Sequence, residues 1–290
     1  MGTSRNVTSG STWMHRQLVG MLRYVDVRLI YAFAAVFVVP VCLITNASRR
    51  TAWLYFRQRM GYGRLKAAWA VYVNHCMFSQ VVVDRFAMFA GKRFKVSVEG
   101  YEHFLTLADR DDAFMQFSSH IGCYEIAGYT LVAQKKRFNA LVFGGEKATV
   151  MQGRSQLFAH TNIRMIPIQP DMSHLFVVNE ALANNETVSM PADRMVGSTK
   201  SVEVNFLGCK ARLPLGPFSV ATMRGLDVLA VNVMKTSLTA YTIYVSPLTY
   251  DHSAPRKVQI AQLAAAYAAE LERKVKQYPH QWYNFFDFWA

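Results

Sequence analysis

The sequence predicts an α/β protein with a mostly parallel central sheet flanked by helices and an N-terminal membrane-anchoring helical segment. Three observations predict it. Beyond residue 94, short apolar runs alternate with longer amphipathic runs, the pattern of strands joined by crossover helices. Upstream, residues 29–45 carry no charge. Of the 290 residues, 52% are hydrophobic and only 18% charged, against a usual charged share of about a quarter.

A chain this apolar does not stay disordered. Its net charge of +13 asks for a polyanionic partner, either an anionic bilayer or nucleic acid. It has no recognised RNA- or DNA-binding motif, so no nucleic-acid partner is expected. Cys42, Cys76, Cys123 and Cys209 are far apart and form no CxxC pair. They frame no zinc site and suit a reducing, cytosol-facing setting. The histidines show no metal-ligand spacing, and no metal or cofactor is expected.

In chain order, residues 1–23 read as a flexible N-terminus and 24–50 as the anchor. The uncharged run is about 17 residues long. As a helix it spans roughly 26 Å, just short of a ~30 Å hydrocarbon core. Arg23, Arg28, Arg49 and Arg50 flank it. It reads either as a short transmembrane anchor or as an embedded hairpin broken at Pro40; a buried core helix is the plain alternative. Residues 51–93 read as interfacial helices, with Trp53, Tyr55, Phe56, Met60 and Tyr62 among Arg57, Arg59, Arg64 and Lys66. Residues 94–290 form the α/β domain. Its strands fall near 94–99, 113–117, 138–143, 164–168, 187–190, 202–206, 228–233 and 239–245. Its helices fall near 123–134, 148–161, 173–184, 217–224 and 256–278.

Chemistry is expected at the first strand-to-helix junction after residue 100, Phe114-Met-Gln-Phe-Ser-Ser-His120-Ile-Gly-Cys-Tyr-Glu125. Open α/β folds keep their sites where strands end. A histidine that takes a proton needs a group to fix its tautomer and stabilise the imidazolium. Glu125, in the first turn of the helix, is placed to reach back to His120 in the loop. Ser118 and Ser119 suit the turn as caps, and Gly122 allows close backbone approach with N–H groups for an oxyanion. Cys123, three residues from His120, offers a nucleophilic alternative.

Further blocks give this junction a context. His120-Ile-Gly-Cys-Tyr-Glu125 resembles the H-x4-D/E motif of the glycerolipid acyltransferase superfamily. The resemblance is closest to the bacterial lipid A late acyltransferases, the lauroyl and myristoyl transferases. Pro191-Ala-Asp193-Arg194-Met-Val-Gly197, then Val204-Asn-Phe206-Leu-Gly208 and Leu213-Pro214-Leu-Gly216-Pro, resemble that family's blocks in order. The closing Tyr278-Pro279-His-Gln281-Trp282-Tyr resembles its terminal signature.

The resemblance implies a membrane-associated O-acyltransferase. It would move a fatty acyl chain from an acyl carrier protein or coenzyme A thioester to a hydroxyl of a lipid A-type glycolipid or related lipid. His120 would be the general base and Glu125 its orienting partner. Asp193 and Arg194 would contact the acyl carbonyl or an acceptor phosphate. Arg154 and Arg164 are both candidates for the family's additional arginine. The setting implied is the bacterial inner membrane, with the catalytic domain facing the cytoplasm. Phe143, Phe158 and Phe176 are candidate walls for the acyl chain. Lys135, Lys136, Arg137, Lys147 and Arg154 form a candidate surface for an acidic carrier or headgroups. Read without the resemblance, the same basic, aromatic surface also fits a non-catalytic lipid-binding adaptor.

Overall fold

The computed structural model describes residues 12–131, 133, 135–145, 148–159, 161–195 and 200–289. Lys147 and Gly197 lie outside the described residues, as do 1–11 of the expected flexible N-terminus. From Thr12 the chain is helical, because Leu18, Val19 and Leu22 of α1 (Thr12–Leu22) pack on Val83, Phe86 and Ala87.

The uncharged run is one helix, Val27–Thr45. It is built from α2 (Val27–Phe33), a π segment (Ala34–Val38) and α3 (Val39–Thr45). Asp26 caps it, accepting from the Arg28 N–H at 2.8 Å. The chain does not reverse at Pro40. The π segment widens the turn just before the proline, whose ring would clash with the carbonyl four residues back in a regular helix. Only 22% of the apolar window is buried, so this is not a core helix. Val27, Tyr31 and Val39 face the protein. Leu29, Phe33, Phe37, Val41 and Ile44, spaced at three- and four-residue steps, face outward.

α4 (Ser48–Leu54), a second π segment (Tyr55–Arg59) and the 26-residue α5 (Arg64–Phe89) follow. α5 packs against all four preceding helices. Tyr55 and Phe56 of the expected interfacial stretch are buried, with Tyr55 edge-on to Trp282. Leu65 and Trp69 of α5 do turn outward.

The α/β unit then runs β1 (Lys95–Glu99), α6 (Tyr101–Asp109), β2 (Phe114–Gly122), α7 (Glu125–Thr130), β3 (Phe138–Val142), α8 (Ala148–Phe158), β4 (Ile163–Pro167), α9 (His174–Ala183) and β5 (Thr187–Pro191). It continues with β6 (Ser201–Phe206), β7 (Cys209–Pro214), α10 (Leu215–Met223), β8 (Asp227–Ser237), β9 (Ala240–Leu248) and α11 (Arg256–Gln277). α6 and β7 add to the elements that the sequence pattern predicts. The seven-stranded sheet has the order β1-β9-β8-β2-β5-β3-β4. Every neighbouring pair is parallel except the β8–β9 hairpin, which confirms the expected α/β class. β6 and β7 form a separate antiparallel hairpin.

β2 is central, and its side chains alternate between two cores. Met115 and Phe117 pack with Phe218 of α10 and Tyr267 of α11. Phe114 packs on the other face with Phe104 of α6 and Val81 and Met88 of α5. Between α5 and the sheet lies a buried ion pair, Asp84 with Lys235 of β8. Tyr31 of α2 and Tyr241 of β9 both donate to Asp84. Lys235 Nζ also donates to the Tyr31 hydroxyl at 3.1 Å. A buried charge is tolerable only when paired and hydrogen-bonded in this way. The cluster fastens the apolar helix to the sheet.

Candidate active site

β2 lies between β5 and β8 and runs parallel to both, so the C-terminal ends of the three strands open on one side. This is where open α/β sheets place their sites. The β2–β8 register shifts between Ser118 and Gly122. Such a bulge bends the strand and re-aims a side chain, and His120 sits within it. Gly122 closes it at φ +59°. A Cβ there would lie 1.8 Å from the Val233 carbonyl oxygen, so only glycine fits. Cys123 N–H donates to that same carbonyl at 2.9 Å and is therefore committed to the fold rather than offered to an oxyanion. Ser118 and Ser119 belong to the strand, not to a helix cap. The Tyr267 hydroxyl shares its one proton between the Ser118 carbonyl and Ser119 Oγ, each at 3.0 Å, and Ser119 Oγ donates to Asn232 Oδ1 at 3.0 Å. These bonds tie the end of β2 to α11 and β8.

The group that holds the His120 ring is Asp193. Its Oδ1 lies 2.8 Å from His120 Nδ1, and its Oδ2 accepts from the His120 backbone N–H at 2.7 Å. Asp193 follows β5, whose Pro191 pairs with Ser118 of β2, so strand pairing delivers it beside His120. Its side chain is only 1% exposed while that of His120 is 27% exposed, so the carboxylate is sealed and the ring can be reached. Burial pushes the Asp193 carboxyl up. The His120 ring, its hydrogen bonds and Arg194 more than offset this and hold it below the usual carboxylate range. With an acceptor on Nδ1, the ring carries its proton there and presents the Nε2 lone pair outward.

Glu125 does not reach His120. β2 continues through His120, and the chain turns before Glu125 opens α7 on the side of α5 and α8. There Glu125 Oε1 accepts from Arg154 Nε of α8 at 2.8 Å, and Oε2 lies 2.8 Å from Arg85 Nε of α5. Arg85 and Glu125 form an ion pair. Arg154 Nη2 also donates to the Tyr124 hydroxyl at 3.3 Å. Burial raises the Glu125 carboxyl, and the two guanidiniums outweigh it and leave it low. Two cations attract a carboxylate more strongly than one imidazole does.

The two candidate arginines separate. Arg154 is buried against Glu125, whereas Arg164 is exposed on the edge strand β4, three strands from β2. Arg194 is next to Asp193. Its Nη2 donates to the Tyr283 carbonyl at 3.0 Å, its guanidinium lies over the Phe286 ring, and its buried Nε meets no acceptor among the described residues. Burial lowers its pKa from the ordinary arginine value, with Asp193 acting against that. The buried Cys123 thiol is raised, first by burial and then by Glu125, which is the wrong direction for a nucleophile.

Other expected groups divide. Phe158 is buried under Gly128, whereas Phe176 is 80% exposed on α9. Lys136 is buried and donates to the Leu107 and Asp112 carbonyls, so it leaves the expected basic patch. A cavity of about 520 Å3 between the end of α5 and α8, lined by Phe89, Arg93, Gly153 and Leu157 among others, does not include His120. Among the described residues, no three His, Cys, Asp or Glu side chains converge as metal ligands. Arg85 was hidden in the sequence, where an arginine within a long helix carries no motif.

A family model described as bacterial lipid A biosynthesis acyltransferase matches residues 82–290, more than half of the chain. Comparison with curated proteins gives no match. Among solved structures, the chain is similar to the 1-acyl-sn-glycerophosphate (LPA) acyltransferase PlsC from Thermotoga maritima. The identity is 16% and the TM-score 0.41, over 93% of this chain and 99% of that one. The family match takes in β2, α7, α8 and the Asp193-Arg194 block. The chain belongs to the bacterial lipid A biosynthesis acyltransferase family and is an acyltransferase.

Proposed function

We propose that the protein transfers a fatty acyl chain from an acyl carrier protein or coenzyme A thioester to a hydroxyl of a lipid A-type glycolipid or related lipid, with His120 as general base. The observation that carries this reading is the pair of hydrogen bonds that Asp193 accepts from His120, at the open end of the parallel strands in an acyltransferase. His120 Nε2 takes the acceptor hydroxyl proton as the oxygen attacks the thioester carbonyl. The tetrahedral oxyanion collapses, the carbon–sulfur bond breaks, and the imidazolium returns its proton to the leaving thiolate. Asp193 holds the ring and balances the imidazolium charge. Arg194 Nε–H, buried and without an acceptor among the described residues, is the proposed donor to a substrate oxygen, carbonyl or phosphate. Glu125, Arg85 and Arg154 act one step back, fixing the start of α7.

The proposed setting is the cytoplasmic face of the bacterial inner membrane. The outward face of Val27–Thr45, continued by Leu65 and Trp69, is the bilayer contact. Arg28, Arg49, Arg50, Arg64 and Lys66 border it and suit anionic headgroups. The free thiols fit a reducing compartment. The test is thiol release from dodecanoyl-coenzyme A, in micelles containing a bacterial inner-membrane lipid extract, with ester formation followed by mass spectrometry. His120→Ala is expected to lower turnover by about 10²–10⁴-fold. Undiminished turnover refutes the mechanism.

A further inference from the structure

The bulge that turns His120 outward removes its peptide from the β2–β8 ladder, and a segment far along the chain takes the ladder's place. Tyr283 N–H donates to the His120 carbonyl at 3.3 Å, and Trp282 bridges Ile121 in antiparallel fashion. The Tyr283 carbonyl in turn accepts from Arg194. The result is a closed circuit. Asp193 takes the His120 N–H, Tyr283 donates to the His120 carbonyl, and Arg194, adjacent to Asp193, holds Tyr283. The histidine peptide is clamped from both sides.

The clamp is only as firm as residues 279–283, which form no long strand or helix. Side chains hold them instead. Asn74 Nδ2 of α5 donates to the His280 carbonyl at 2.9 Å and to the Trp282 carbonyl at 3.1 Å. The Tyr55 hydroxyl donates to the Pro279 carbonyl at 3.2 Å. Gln281 pairs with the Lys235 backbone of β8 in both directions, accepting at 2.8 Å and donating at 2.7 Å. The Trp282 ring is buried among Tyr55, Phe206, Phe288 and Trp289. Among the described residues, Asn74 is the one side chain that spans two peptides of the segment, and it is 1% exposed. It also lies upstream of the family-matched residues 82–290.

We infer that Asn74 is a positioning residue for His120, acting through the terminal segment 279–283, so that the N-terminal helices complete the active site rather than only carry it. This rests on His120 being the general base. A general base must be held within a few tenths of an ångström of its productive place, and a displacement of about 1 Å costs on the order of 10²-fold. Losing the amide of Asn74 frees the His280 and Trp282 carbonyls, and so loosens the segment that holds His120, without removing any group that meets substrate.

The experiment compares wild type, Asn74→Leu and His120→Ala in the dodecanoyl-coenzyme A assay, with folding checked by circular dichroism. Asn74→Leu is expected to lower kcat by about 10–100-fold with KM for the thioester unchanged. A folded Asn74→Leu protein with wild-type kcat overturns the inference, as does a loss confined to KM. Full activity in His120→Ala would instead overturn the general-base reading, so the two failures are distinct. If Asn74→Leu does not fold, Gln281→Ala, which loosens the same segment from β8, is judged by the same kcat and KM outcomes.

Discussion

Two buried carboxylates flank the end of β2, and they are bound in opposite ways. Asp193 spends both oxygens on one residue, the ring and the backbone N–H of His120. Glu125 spends its oxygens on two guanidiniums, Arg85 and Arg154. Both carboxyls are held low, the first by a group that can gain a proton and the second by groups whose charge is permanent. The difference separates their work. A carboxylate already matched by two fixed cations has little to give an imidazolium formed in mid-reaction. One matched to the ring itself strengthens its hold as the ring becomes charged.

Breaking the Glu125 site should therefore damage the fold more than the chemistry. Glu125→Gln removes the buried carboxylate that Arg85 and Arg154 share. Removing one partner of such a cluster costs about 3–5 kcal/mol. Chemical denaturation is expected to show that loss, and the surviving folded fraction is expected to keep most of its turnover. A stable but inactive Glu125→Gln protein would reverse the assignment of the two carboxylates.

The next effect bears on the apolar helix. Phe37 faces outward at its middle, so Phe37→Arg should leave the fold intact and weaken bilayer binding. A charge at the centre of an inserted helix costs about 2.5–3.5 kcal/mol. Flotation with anionic vesicles should show less bound protein. Equal flotation of variant and wild type would place the bilayer contact elsewhere.

The smallest effect is the acid dependence of stability. Both carboxyls have folded pKa values below their unfolded values of about 3.9 and 4.3. Each contributes stability that is fully present above its unfolded value and is lost as pH falls through the folded one. Tm should thus fall as the solution is acidified below about pH 4, and fall less steeply in Glu125→Gln. An identical acid slope in the variant would mean that Glu125 is not held low.

Much of the fold was legible because apolar alternation reports burial directly, and the strands near 138, 187 and 228 form where that pattern places them. The site was legible in its parts and not in its pairing. Spacing put Glu125 five residues from His120, but a bulge at Gly122 and a turn at Tyr124 decide which way each side chain points. Asp193 stood out within its block, yet its contact with His120 spans 73 positions and needs β5 to lie beside β2. Arg85 and Asn74 are ordinary polar residues of a long helix, and only tertiary packing gives them their partners. The terminal Gln281-Trp282 pair was visible as a signature, but not that it supports the His120 peptide.

The most direct measurement is a double-mutant cycle in the acyl-transfer assay, comparing His120→Ala, Asp193→Asn and Glu125→Gln with the two doubles that contain His120→Ala. Residues that act as one unit are strongly non-additive. Asp193→Asn is expected to lose turnover severely alone and to add almost nothing to His120→Ala. Glu125→Gln is expected to add its own smaller loss in full. An Asp193→Asn enzyme with near wild-type turnover, or a Glu125→Gln effect that vanishes in the His120→Ala background, would contradict the Asp193–His120 pair as the working unit.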